Sequence, residues 1–307
     1  MDRFTFLRRP AGLLTASLTC WMFLAAGVAG CQGGPGAEGA NSSPGAIVCW
    51  GEDSEGQASP PSGHFVRVST GHSHSCGIDS EGSLECWGSD ESGQSSPPSG
   101  SFSELSAGWR HTCAIGPGGQ TTCWGSDDYG QSLPSRGTYK QLAAGWTYTC
   151  GIDADSELQC WGDRVLRSWP PTGKFTGIAA GLWYSCGLDP NRWVQCWGYD
   201  NPGTSMPPAG PFSAISAGGD HACVLNAEGA IRCWGWGESE ALDPPTGTFT
   251  QVSSGFRHSC ALSTEGAVTC WGDNSSGQAT APAGSFSWIS AGTDHSCGLR
   301  SSTPETG

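Results

Sequence analysis

Short stretches of alternating apolar and polar residues recur along this chain, as in Phe65-Val66-Arg67-Val68-Ser69, and each opens on an aromatic ring. Phe65, Phe102, Tyr139, Phe175, Phe212, Phe249 and Phe286 take that position in turn. A period of two with β-branched content predicts strands. A glycine then stands five residues before a cysteine in every unit (Gly71, Gly108, Gly145, Gly181, Gly218, Gly255, Gly292), where a bend without Cβ would let the chain reverse. A second strand is expected through His-Ser-Cys or its variants, and a third ending in Cys-Trp-Gly. Seven copies of that tripeptide, starting at Cys49, Cys86, Cys123, Cys160, Cys196, Cys233 and Cys270, recur every 37 residues with a single step of 36. A period this long marks repeated supersecondary units.

The cysteines set the register of the array. Each Cys-Trp-Gly after the first lies ten residues beyond another cysteine, giving Cys76/Cys86, Cys113/Cys123, Cys150/Cys160, Cys186/Cys196, Cys223/Cys233 and Cys260/Cys270. Cys49, first of the series, and Cys297, last, remain, so the chain begins with the second half of a unit and ends with a first half. An array that closes into a ring, both ends completing one unit, explains the offset. Placing Cys76 opposite Cys86 leaves Ser80-Glu81-Gly82 as a three-residue loop, which fits a type I turn with a left-handed bulge residue. Gly82, Gly119, Gly229 and Gly266 occupy the bulge position, while Ser156 and Arg192 replace glycine there. The cysteines then face each other at a non-hydrogen-bonded pair, where side chains are closest.

Each unit closes with a turn-rich segment, Asp53-Ser54-Glu55-Gly56-Gln57 and again near Gly93-Gln94, Gly130-Gln131 and Gly277-Gln278, followed by proline pairs such as Pro60-Pro61 and Pro97-Pro98 that belong to an edge or connection. The units starting at Cys160 and Cys233 lack the Gly-Gln pair.

Residues 1–30 form a different object. Arg3, Arg8 and Arg9 precede an uncharged apolar stretch from Ala11 to Ala29, the pattern of an export signal. It ends in Val28-Ala29-Gly30-Cys31, which resembles the bacterial lipobox, so Cys31 is the expected lipidation site; an ordinary cleaved signal or an anchor helix are the alternatives, and all three export the repeats. Residues 31–45 read as a flexible tether, residues 46–299 as the repeat domain and 300–307 as a disordered tail.

Setting Cys20 and Cys31 aside leaves fourteen cysteines, an even number in an oxidising compartment, so seven disulfides are expected. From residue 31 onward the chain carries 11 basic and 27 acidic residues, a net charge of −16. That opposes nucleic-acid binding, which draws on cationic contacts to phosphate, and leaves a lipid anchor as the only expected membrane attachment.

The aromatic strand, Gly-x-x-His-Ser, hairpin and Trp-Gly-x-Asp-x-x-Gly-Gln, repeated in register over residues 46–299, resemble the regulator of chromosome condensation propeller family. The resemblance implies an all-β, seven-bladed β-propeller, its ring closed by the N- and C-terminal strands. A cysteine pair in each blade is not a general feature of that family. An exported bacterial setting is closer to the propeller-type β-lactamase inhibitors than to the nuclear exchange factor.

Chemistry-bearing residues mostly read as structural. The Trp of Cys-Trp-Gly occurs identically in every unit, as blade packing would require. His74, His111, His221, His258 and His295 share one register, with Tyr148 and Tyr184 in the other two units. They could hold an ion in a channel, but a hydrogen-bonded structural role is preferred. Asp79–Trp87 superficially resembles the Asp-box of sialidases, itself a structural hairpin. No Gly-x-Ser-x-Gly elbow, phosphate loop or zinc signature is present. An enzyme is not expected, and neither is a cofactor or metal.

The informative positions vary while their surroundings repeat. Two residues follow each bend glycine: His72-Ser73, Trp109-Arg110, Trp146-Thr147, Leu182-Trp183, Gly219-Asp220, Phe256-Arg257 and Thr293-Asp294. Equivalent loops of a propeller emerge on one face, so Trp109, Arg110, Trp146, Trp183, Phe256 and Arg257 are the candidate binding residues, with the chemistry of protein hot spots. The alternative places the indoles between blades. The expected function is that of an exported, lipid-anchored, monomeric, non-catalytic propeller that binds a protein through this face. A cell-surface glycan partner is the second reading and a sialidase-like hydrolase the third.

Overall fold

The structure, a computed structural model, describes residues 44–163, 170–199, 203, 204, 206–236 and 239–301. The expected signal over 1–30, Cys31 and the expected tether up to residue 43, the expected tail from 302, and the segments 164–169 and 237–238, where two units lack Gly-Gln, lie outside the described residues.

Twenty-one strands among the described residues form seven three-stranded antiparallel sheets, the blades of a β-propeller. Blade 1 consists of an inner strand Phe65–Thr70, a middle strand His74–Asp79 and an outer strand Leu84–Gly88, and blades 2 to 6 repeat this order. Blade 7 takes its inner and middle strands, Phe286–Ala291 and His295–Arg300, from the C-terminal end and its outer strand, Ile47–Gly51, from the N-terminal end. Inner strands of successive blades neighbour one another, and that of blade 7 neighbours that of blade 1. The array is therefore a closed ring, as the cysteine register requires. The turn-rich segments with their proline pairs connect blades and, among the described residues, form no fourth strand.

Every cysteine pair lies directly across the middle and outer strands, and all seven are disulfides, Cys49–Cys297 among them. Their Cα atoms are 4.0–4.1 Å apart, the close spacing of a non-hydrogen-bonded pair. The hairpin loops also keep the expected bulge. Gly82 has φ 89°, and Ser156 and Arg192 adopt the same left-handed conformation at 70° and 67° without being glycine. The turn holds because the Asp at its first position accepts several backbone N–H groups. Asp153 takes that of Glu157 on its carboxylate and that of Ser156 on its carbonyl, and the Asp189 carboxylate takes those of Asn191 and Trp193.

The bend glycines serve a purpose other than conformational freedom. None of the seven has a positive φ. A Cβ on any of them would come under 3.0 Å from the carbonyl oxygen of the bend glycine in the next blade, around the ring from Gly71 to Gly108 and finally from Gly292 back to Gly71. These residues are glycine because adjacent blades meet there backbone to backbone.

The repeated indoles are packing elements. Trp50, Trp87, Trp161, Trp197 and Trp234 are buried, and Trp124 and Trp271 half-buried. Indole Nε1–H donates to a backbone carbonyl in the preceding connection: Trp87 to Gln57, Trp124 to Gln94, Trp161 to Gln131 and Trp50 to Gln278, at 2.8–2.9 Å. Trp234 and Trp271 reach Thr204 and Ala241 at the same place. Since the acceptor is a main-chain oxygen, the bond survives loss of the glutamine side chain. That side chain, where present, is buried and folds its own loop, as Gln57 does by accepting the Glu55 N–H.

Candidate functional site

Each bend glycine donates its N–H to the carbonyl of the first middle-strand residue three positions on, as Gly71 does to His74, so the two variable residues form the tip of a two-residue hairpin loop. The second tip residue is in turn bonded to the residue after Cys-Trp-Gly. Ser89 N–H donates to Ser73 O, Ser126 to Arg110, Asp163 to Thr147, Tyr199 to Trp183, Trp236 to Asp220, Asp273 to Arg257 and Glu52 to Asp294, all at 2.8–2.9 Å. This arrangement puts three variable positions from each blade on one face, surrounding a channel of about 140 Å³ lined mainly by Ser, Ala and Gly of the inner strands.

The channel mouth is aromatic on one side. His72 stacks on Trp109 with ring centroids 3.6 Å apart, Trp109 meets Trp146 edge to face at 5.7 Å, and Trp146 meets Trp183 edge to face at 4.0 Å. All four are half-buried, with part of each ring reaching the surface. His72 and the three tryptophans thus form one continuous arc over blades 1 to 4, held by contacts with each other; Trp183 also packs against the hydrophobic core of blade 3 and its neighbour. Burial and the nearby Arg110 lower the pKa of His72, which keeps its ring neutral in the stack. Arg110 is exposed and pairs with Glu91 at 3.4 Å. Phe256 lies across the mouth under the Arg257 guanidinium, 5.5 Å from the ring centroid. All six candidate binding residues therefore fall on the same face, with the three tryptophans in one group and Phe256 and Arg257 in another.

Sequence reading missed His72 as a member of the arc, and Tyr199 and Trp236 beside it. Tyr199 and Trp236 are 58% and 59% exposed, directly bonded through their backbones to Trp183 and Asp220. The signal that finds them is the position after Cys-Trp-Gly, which is Glu52, Ser89, Ser126, Asp163, Tyr199, Trp236 and Asp273 around the ring.

The histidine register does not line the channel as ligands. His74 Nε2 bonds Thr112 Oγ1, His111 bonds Thr149, His221 bonds Ser259, His258 bonds Ser296 and His295 bonds Ser75, each at 2.8 Å to the next blade. In blades 3 and 4 the longer tyrosines reach further, Tyr148 Oη–H donating to Tyr184 O and Tyr184 to His221 O. Burial pushes His74, His221 and His258 down to about 4 and His111 and His295 to about 3, so all five are neutral hydrogen-bonding groups. A second seam of serines follows the same path: Ser69 Oγ accepts the Ala107 N–H, and Ser106, Ser216, Ser253 and Ser290 act likewise. Among the described residues no three His, Cys, Asp or Glu side chains are grouped to hold a metal ion.

The comparisons with known proteins agree with this architecture. Residues 65–94, 102–131, 212–239 and 249–278 match the regulator of chromosome condensation (RCC1) repeat. These are blades 1, 2, 5 and 6; blades 3 and 4 are those with tyrosine in the histidine register, and blade 7 is split between the chain ends. No curated protein matches the chain with significance. Among solved structures, it is similar to the ectodomain of the receptor kinase CR4 from Physcomitrella patens, with 26% identity and a TM-score of 0.68 over 78% of this chain and 71% of that one. The CRINKLY WD40 ectodomain of the Arabidopsis thaliana receptor kinase ACR4 is 24% identical, with a TM-score of 0.66 over 78% of this chain and 95% of that one. Prp20p from Saccharomyces cerevisiae shares the fold at 15% identity, with a TM-score of 0.72 over 85% and 93% of the two chains. With matched repeats in four blades, the same register in the other three and a ring closed by both termini, the chain is an RCC1-like repeat β-propeller.

Proposed function

We propose that this propeller is a non-catalytic binding protein, exported and held at the bacterial cell envelope through a lipid on Cys31, that engages a protein partner with the face around the channel mouth. The observation that carries this reading is the continuous arc of Trp109, Trp146 and Trp183, partly exposed at the channel mouth on positions that vary within a strict repeat. Tryptophan and arginine dominate the energetics of protein interfaces, and an isolated soluble domain gains little from exposing such a surface. RCC1-like propellers support a binding role, since Prp20p binds Gsp1p and histones. Seven disulfides fit an oxidising location, as does similarity to receptor ectodomains. Stacking of His72 on Trp109 covers one indole face and weighs against a sugar platform there.

The test is affinity capture from envelope extracts with the full-length chain in mild detergent, repeated with Trp109→Ala and Trp183→Ala. A protein retained by the wild type and lost with either variant supports the reading. Equal capture by all three forms, or retention of glycans alone on an array, overturns it.

A further inference from the structure

The charges on this face are arranged around the aromatic arc. The arc covers blades 1 to 4, and the two blades that flank its ends, 7 and 5, each place an aspartate at the second tip position, Asp294 beside blade 1 and Asp220 beside blade 4. Glu52 and Asp273 extend the acidic sector outward from Asp294 and Arg257. Asp294 is half-buried, and its carboxyl is pushed up from its ordinary value by burial and then by the charges of Asp273 and Glu52, with Arg257 opposing. Two arginines lie at the tips, and both have acidic neighbours: Arg110 pairs with Glu91, and Arg257 faces Asp273 and Asp294. The sector thus carries more negative than positive charge around an electron-rich aromatic surface.

Carboxylates dispersed around tryptophan faces favour one kind of occupant. Among the described residues these carboxylates do not group into a metal-holding cluster. An arginine or lysine side chain is attracted both by ring quadrupoles and by flanking carboxylates. Arg257 already shows that combination within the chain, lying over the Phe256 ring and interacting electrostatically with Asp273 and Asp294. From the aromatic arc bracketed by Asp220 and Asp294, we infer that the segment of the partner that docks at the channel mouth is cationic, an arginine- or lysine-bearing loop. This inference rests on the protein-binding reading and specifies the partner's chemistry. Complementary charge would set the orientation and association rate, while the indoles supply the buried area.

The probe is a fluorescein-labelled peptide, Arg-Gly-Arg-Gly-Arg-Gly, compared by fluorescence anisotropy at 0.15 M salt with its citrulline isostere on the full-length protein. The arginine peptide should bind at least tenfold more tightly. Asp220→Asn with Asp294→Asn should weaken it at least fivefold at an unchanged thermal midpoint, whereas Glu81→Gln with Glu228→Gln, in hairpin loops at the other end of the blades, should leave it unchanged. Equal binding of the citrulline peptide, no binding of the arginine peptide, or equal loss in the two double variants overturns the inference. A captured protein partner that is lost with Trp109→Ala but kept by the Asp220/Asp294 variant also overturns it, and leaves the protein-binding reading standing.

Discussion

Nε2 of His295 in the last blade lies 2.8 Å from Oγ of Ser75 in the first, 220 residues away in sequence, and repeats across the ring seam the bond that His74 makes to Thr112 inside it. The seam is therefore built like every other blade junction, and its strength depends on a neutral imidazole.

That dependence predicts acid lability. The five ring histidines have folded-state values of about 3 to 4 against an ordinary 6.5, so below pH 6.5 the unfolded chain binds protons that the folded chain does not. Stability must then fall as pH drops from 6.5 toward 4, by roughly 1.4 kcal/mol per pH unit for each histidine. Urea midpoints measured from pH 7.5 to 4.5 should decline steeply below 6.5, and His258→Gln should flatten the slope. A slope that the substitution leaves unchanged would refute the assignment.

Closure of the ring should depend most on the Cys49–Cys297 bond. It spans 248 residues, whereas each hairpin disulfide spans 10. In the chain-entropy account the long loop is worth roughly 5 kcal/mol and a short one about 3. Replacing Cys49 and Cys297 with Ser should lower the thermal midpoint further than replacing Cys76 and Cys86, and scanning calorimetry of the two variants decides between unequal and equal losses.

The two classes of tryptophan should respond differently to truncation. Trp161 is 3% exposed and donates to Gln131, so Trp161→Ala should cost about 3–5 kcal/mol of stability through an unfilled core site. Trp146→Ala removes two edge-to-face contacts on the surface and should cost only about 1–3 kcal/mol in folding, while weakening partner binding by about 1–3 kcal/mol. Denaturant titration and binding of the captured partner, run on both variants, separate the roles. Loss of stability in Trp146→Ala as large as in Trp161→Ala would make the arc a packing element.

Anchoring is tested by Cys31→Ser. If acylation is the tether, the variant should appear in the soluble fraction after cell disruption while the wild type sediments with membranes. Retention of both forms points to an uncleaved helix.

Local repetition in the sequence determined the β class, the seven units, the pairing of every cysteine and the offset that closes the ring, because each follows from relations within one unit or from its phase. Cys76 opposite Cys86 is fixed by a hairpin with a separation of ten positions, and Cys49 with Cys297 by the two cysteines that remain. Only the tertiary structure decided why seven glycines precede the middle strands, since the atom each would strike belongs to the next blade. It also decided what His74 and its counterparts bond, as Nε2 and its acceptor are 38 residues apart within the ring and 220 apart across its seam, and that Tyr199 and Trp236 stand beside the arc. A repeat shows which positions vary together. Which of them meet depends on how each blade twists and packs against its neighbour, and that distance lies beyond any local pattern in the chain.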